Sequence, residues 1–205
     1  MIFKALVVGL LDTNCYLLGC QKTREAVVID PGFEGNIIID EINRLDLRVK
    51  YIINTHAHFD HISANSSLKA ATGGLICLQE RDLPLYRNPS SGMAVAAAGR
   101  QPDPDRLVSE GDKLVFGHLQ LEVLETPGHT EGGISLLGSD RVFTGDTLFA
   151  GSVGRTDLPG GNMEQQIHSI RTKLMVLPAE TIIYPGHGAA STIGREMQSN
   201  PFLRG

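Results

Sequence analysis

Residues 54–61 read Asn-Thr-His-Ala-His-Phe-Asp-His, which places three of the chain's seven histidines and one aspartate within six positions. Chance would produce this H-x-H-x-D-H spacing in about one of two thousand chains of this composition, so the cluster points to function. His56, His58, Asp60 and His61 offer neutral imidazole nitrogens and a hard carboxylate oxygen, the donors that zinc-type or iron-type centres take. Three further candidates are spread along the chain: His129 in Thr126-Pro127-Gly128-His129-Thr130, Asp146 in Gly145-Asp146-Thr147, and His187 in Pro185-Gly186-His187-Gly188. Singly, each is an ordinary turn residue. Joined to the first cluster they make seven donors, too many for one tetrahedral ion. They divide between two: His56, His58 and His129 for a first metal, Asp60, His61 and His187 for a second, and Asp146 bridging with its two oxygens. Two divalent ions about 3.5–4 Å apart share a hydroxide, because coordination lowers the pKa of water from ~15.7 toward ~7. Asp60 is placed to orient it. The chemistry predicted is hydrolysis by a metal-bound hydroxide, with no Ser or Cys nucleophile. Zinc is the expected metal, and iron and manganese accept the same donors.

Four loops must converge for this to work. His56 follows the apolar run Val49–Ile53, and the other three loops follow Leu119–Leu124, Arg141–Phe143 and Thr181–Tyr184, so the donors are expected at the ends of four strands along one edge. Further strands are predicted at Ile2–Val8, Tyr16–Leu18, Ala26–Ile29, Leu75–Leu78, Lys113–Phe116 and Ile134–Leu137. Helical spacing appears at Ile38, Ile42 and Leu45, and again at Met163, Ile167, Ile170, Leu174 and Leu177, with Pro178 ending the second helix. Strands that cluster, rather than each leading into a helix, fit a mixed α/β chain of two sheets with helices outside. Residues 82–105 are expected to form a rim or lid over the site. Pro84, Pro89, Pro102 and Pro104 break structure there, and Met93 to Ala98 offer a small apolar surface, so deleting Ser90–Gly99 should change KM more than metal content.

Composition limits the alternatives. The 205 residues carry a formal net charge of −5, which argues against a nucleic-acid or membrane-surface partner. No apolar run approaches the ~20 residues of a membrane span. Lys4, Ala5 to Leu11 and Leu17-Leu18-Gly19-Cys20 superficially resemble a lipoprotein signal, but Asp12 and Asn14 interrupt the stretch, and two strands around a turn fit better. Cys15, Cys20 and Cys77 are too few and odd in number for a disulfide framework, so they are expected as core residues of a cytoplasmic protein. His118 and His168 are expected in solvent. Neither a Gly-x-Ser-x-Gly elbow nor a phosphate-binding loop is present.

These motifs, in this order, resemble the metallo-β-lactamase-fold hydrolase superfamily, with Asn14-Cys15-Tyr16 and Asp30-Pro31-Gly32 matching its N-terminal pattern. The resemblance covers nearly the whole chain and implies an αββα four-layer sandwich, here as a single domain over 1–205. Within the superfamily, Thr144-Gly145-Asp146-Thr147-Leu148-Phe149 and Gly154-Arg155-Thr156-Asp157-Leu158-Pro159-Gly160-Gly161 resemble the glyoxalase II-like group, which hydrolyses glutathione thioesters such as S-lactoylglutathione. The group's C-terminal glutathione-binding helical domain has no room after His187, and its glutathione-contacting Lys and Tyr are replaced in the region of Arg155 and Asp157. The match is therefore to short glyoxalase II-like proteins. Arg155 is the candidate substrate contact, bidentate to a carboxylate; the alternative is a structural salt bridge to Asp157 or another carboxylate.

A mononuclear-iron persulfide dioxygenase shares the fold and most of the ligands, and metal content with oxygen dependence separates the two. A β-lactamase is disfavoured by Asp146 at the bridging position, and a nuclease by the charge. A small-molecule thioester is the expected partner. A homodimer follows only from the frequency of two-fold assemblies.

Overall fold

A computed structural model describes residues 1–88 and 99–204. The middle of the expected lid, from Pro89 through Ala98, lies outside the described residues.

Two six-stranded sheets carry the molecule. In the first, β1 (Ile2–Val8), β2 (Thr13–Gly19), β3 (Glu25–Ile29), β4 (Arg48–Ile53), β5 (Leu75–Gln79) and β6 (Arg106–Val108) lie in chain order. The first three run antiparallel and β3 to β6 parallel. The second has the order β14-β13-β10-β9-β8-β7, built from β7 (Lys113–Phe116), β8 (Leu119–Glu125), β9 (Ile134–Leu137), β10 (Arg141–Gly145), β13 (Ile182–Pro185) and β14 (Ser191–Thr192). A small hairpin, β11 (Leu148–Phe149) with β12 (Ser152–Val153), follows β10.

Period-two alternation builds the layers. Tyr16, Leu18, Val27 and Ile29 point between the sheets, where they meet Phe116, Val123, Leu136 and Phe143. Their neighbours Leu17 and Val28 point outward, against Ile38 and Ile42 of α1 (Gly35–Arg44) and Leu68 of α3 (Asn65–Thr72). Burial on both faces explains why these strands are nearly continuous apolar runs. The outer face of the second sheet, with Val142 and Ile183, is covered by Ile170, Leu174 and Ile193. The outcome is the expected αββα sandwich.

Three local features differ from expectation. The helix predicted from Met163 onward is α-helical only over α5 (Met163–Ser169) and then widens to a π turn at Ile170–Leu174. Both ends of that turn stay buried against the sheet. Pro84 does not break structure: it sits in the first turn of α4 (Leu83–Arg87), where its missing N–H is no loss. The elements α2 (Phe59–Ile62), α3, α6 (Ile193–Ser199), β6 and β14 carry too few apolar residues to have been visible as patterns.

Phe116 is 1% exposed between the sheets. Replacing it with alanine should cost about 3–5 kcal/mol through lost burial and the cavity left behind. Denaturant titration measures this.

Candidate metal centre

Strand ends position the donors as anticipated. β4 leads to His56, β8 to His129, β10 to Asp146 and β13 to His187. β10 and β13 run parallel, and β8 shares their direction through antiparallel β9, so three of the loops leave one edge of the second sheet. Past β4 the chain passes His56 and His58 and turns into α2, whose four residues carry Asp60 and His61.

All seven predicted donors meet. Ligand atoms of His56, His58 and His129 lie within 4.8 Å of one another, as do those of Asp60, His61 and His187, and those of His56, His61 and Asp146. His58 Nδ1 lies 2.8 Å from His129 Nε2, and His61 Nε2 lies 3.4 Å from His187 Nε2. Asp146 stands between the sets: its Oδ2 is 3.6 Å from His129 Nε2 and 3.6 Å from His187 Nε2. That is the position the bridging role requires.

Groups around the donors fix their tautomers. His129 Nδ1–H donates to the Arg155 carbonyl at 2.6 Å and His187 Nδ1–H to the Leu11 carbonyl at 2.9 Å, which turns both Nε2 lone pairs inward. Asp30 holds the end of β4, accepting from the Thr55 N–H and hydroxyl at 2.7 Å each, and stands 3.1 Å from His61 Nδ1. It does so from a left-handed backbone, φ 51°, a conformation that costs about 1 kcal/mol or more outside glycine. Two residues on, a Cβ at Gly32 would lie 1.8 Å from the Asp60 carbonyl oxygen, so only glycine fits under α2. Asp60 Oδ2 accepts from the buried Thr13 hydroxyl at 3.1 Å and lies 3.2 Å from His187 Nε2. Asn14 brackets the His187 turn by donating to the Pro185 and Gly188 carbonyls.

Electrostatics favour cation binding. Burial, and then the neighbouring imidazoles, hold His56 well below the ordinary histidine range and His58 down to about 3, so both present as neutral ligands. Burial opposes charge on Asp60, yet His61 and His187 outweigh it and keep the carboxyl far below its usual value. His61 and His187 are pushed up despite burial, chiefly by Asp60 and Asp146, which marks their side of the centre as one that favours positive charge. His56 Nε2 and Asp146 Oδ1 are buried without a hydrogen-bond partner. Orphaned acceptors of this kind are rare unless a ligand takes them, and the donor set fits divalent metal ions.

Arg155 is brought to the rim rather than among the donors. Its side chain is 63% exposed and bidentate to Asp157, at 2.7 and 2.8 Å. His118 and His168 are exposed and stand in none of the donor groups found among the described residues. The three cysteines are free and buried. Thr13, Asn14 and Asp30 support the site without having been assigned a role from sequence. The only signal for Asn14 and Asp30 was their place in the motifs Asn14-Cys15-Tyr16 and Asp30-Pro31-Gly32, and Thr13 had none.

Comparison with known proteins agrees with this geometry. The profile of the Metallo-beta-lactamase superfamily matches residues 8–187. Hydroxyacylglutathione hydrolase GloC of Haemophilus influenzae is 39% identical over 209 residues, covering 99% of this chain and 98% of its own. Bovine mitochondrial persulfide dioxygenase ETHE1 is 35% identical over 198 residues, covering 93% of this chain and 71% of its own. Among solved structures, BLEG-1 B3 metallo-beta-lactamase superposes with a TM-score of 0.92 at 36% identity over the full length of both chains. TTHA1623 in a di-iron-bound form gives 0.88 at 37%, covering 98% of this chain and 100% of its own. No helix among the described residues is long and apolar enough to cross a membrane.

Asp30→Asn keeps one acceptor and turns an amide toward either Thr55 or His61. It should weaken retention of an ion at Asp60, His61 and His187 by about 10–100-fold. Competition against a chelator, with metal counted per chain, gives the number; unchanged retention would remove Asp30 from the site's support.

Proposed function

The chain belongs to the metallo-beta-lactamase superfamily, and from that premise we propose that it is a thioester hydrolase of the glyoxalase II type, acting on small-molecule thioesters such as S-lactoylglutathione. The observation that carries this reading is the placement of Asp146 Oδ2 at equal reach of both histidine sets. The full-length similarity to the Haemophilus hydrolase supports it.

Ions in the two sets, zinc first among the candidates, would supply Lewis acidity toward the thioester carbonyl and a water acidified toward neutrality. The chain's own residues do the rest. Asp60, kept ionised by His61 and His187 and steadied by Thr13, is the acceptor that orients the attacking water. Asp146 and His187 are partly exposed, which opens the centre on their side. Arg155 is tied to the centre through its carbonyl, which accepts from His129, while its guanidinium rests on Asp157 at the rim. Exchanging Asp157 for a substrate carboxylate keeps that bidentate pair and draws the substrate toward the ions.

A second reading is a mononuclear-iron persulfide dioxygenase. The similarity to bovine ETHE1 favours it, as does the compact His56, His58 and His129 set, which would serve one ion. The similarity to BLEG-1 makes a cephalosporin the third substrate to try.

The purified protein is to be analysed for Zn, Fe and Mn and assayed on S-lactoylglutathione with oxygen present and removed. Two ions per chain with oxygen-independent thiol release are expected. One iron per chain, no thioester cleavage and oxygen uptake with glutathione persulfide would overturn the hydrolase in favour of the dioxygenase. Asp60→Asn should lower kcat by about 10²–10⁴-fold; full activity with both ions retained would remove Asp60 from the mechanism.

A further inference from the structure

Asp82 lies outside the donor set, 1% exposed, at the end of the 3₁₀ turn Glu80–Asp82 that follows β5. Its carboxylate is fully engaged. Oδ2 accepts from the Ala57 N–H at 2.8 Å and from the Thr130 hydroxyl at 3.0 Å, and Oδ1 accepts from the Gly132 N–H at 2.6 Å. Ala57 stands between His56 and His58, and Thr130 follows His129. Every imidazole of the first set is therefore one residue from a group that Asp82 holds. The contact also crosses the molecule, joining the loop after β4 of the first sheet to the loop after β8 of the second. Approach is close: a Cβ at Gly132 would lie 2.5 Å from the Asp82 backbone nitrogen, so glycine is required there.

The second set is supported by other groups. Thr13 holds Asp60, Asp30 stands against His61, and the Leu11 carbonyl orients His187. Asp82 bonds to none of these three donors. Metal ligands must hold their distances within about 0.2 Å, and His58 and His129 come from different sheets, so the carboxylate linking their loops decides whether the two rings keep that spacing.

We propose that Asp82 is a positioning residue that sets the affinity of the His56, His58 and His129 set for its metal ion, separately from the other set. The proposal rests on the cluster being a metal centre. Asparagine at this position keeps the size but offers one oxygen, and its amide must face the N–H of either Ala57 or Gly132.

The test uses full-length protein loaded with Zn(II), exposed to graded chelator, with zinc per folded chain measured for wild type, Asp82→Asn, Thr130→Val and Glu196→Gln. Glu196 is the control. It is equally buried and binds Ser191, the Gly151 N–H and Asn200, away from the first set. D82N should release the first-set ion at about 10–100-fold lower chelator activity, and an ion at the second set should leave at the wild-type point. T130V removes one of the three hydrogen bonds and should shift release by about threefold in the same direction; it carries the test if D82N does not fold. E196Q should lower the thermal midpoint and leave zinc release unchanged. Wild-type release from D82N, or an equal shift in E196Q, overturns the role of Asp82 alone. A wild-type chain that takes up no zinc, iron or manganese overturns the metal centre with it.

Discussion

His58 Nδ1 and His129 Nε2 face each other across 2.8 Å, and His61 Nε2 and His187 Nε2 across 3.4 Å, inside a pocket where His56 and His61 are almost wholly buried. At that spacing lone pairs repel unless a proton or a cation lies between them. The low-dielectric surroundings strengthen the repulsion, since burial removes the water that would screen it. Carboxylates at Asp60 and Asp146 add negative charge beside the same nitrogens. Positive charge at the centre relieves all of these contacts at once, and the arrangement of the site follows from having to hold them ready for it.

Holding them is the work of the two sheets. A sandwich brings strand ends from both sheets to a common edge, and each donor loop is tied there by a group whose own position the sheets fix. Asp30 at the end of β3 grips Thr55 and faces His61; Thr13 and Asn14, at the start of β2, reach Asp60 and the His187 turn. On the other side, Gln166 of α5 donates to the Thr147 and Gly154 carbonyls, closing the loop that runs from Asp146 to Arg155. Ser169 of the same helix bonds the Pro127 carbonyl beside His129. The interior packing and the metal centre are thus one construction: the apolar faces set where the strands end, and the strand ends set the donors.

The parts legible in the sequence were those encoded in residue type and local order. Seven donors announced themselves because histidine and aspartate carry the chemistry and the H-x-H-x-D-H spacing is rare. The strands were visible because β2 to β5 are buried on both faces and read as apolar runs. Helix α3 was not, since Leu68 is its one large buried apolar residue and Asn65 is buried by hydrogen bonds to Asn54 and Tyr86. The π turn at Ile170–Leu174 was hidden because those residues keep helical spacing while the backbone widens. Supporting residues were the least legible. Thr13 meets Asp60, and Asp82 meets Thr130 and Gly132, across separations of 47 to 50 residues, and no local pattern encodes such a pairing. Both expected partners of Arg155 were carboxylates, so residue type alone did not choose between them, and the structure puts the guanidinium on Asp157.

A single centre for two ions, built from the seven donors, has a direct crystallographic signature. Anomalous diffraction from crystals of the protein grown with its metal, collected above and below the zinc, iron and manganese edges, tests it most directly. Two peaks about 3.5–4 Å apart are expected, one among His56, His58 and His129, the other among Asp60, His61 and His187, with Asp146 touching both. A single peak confined to the first set would contradict the two-ion centre, and anomalous density away from these residues would contradict the site itself.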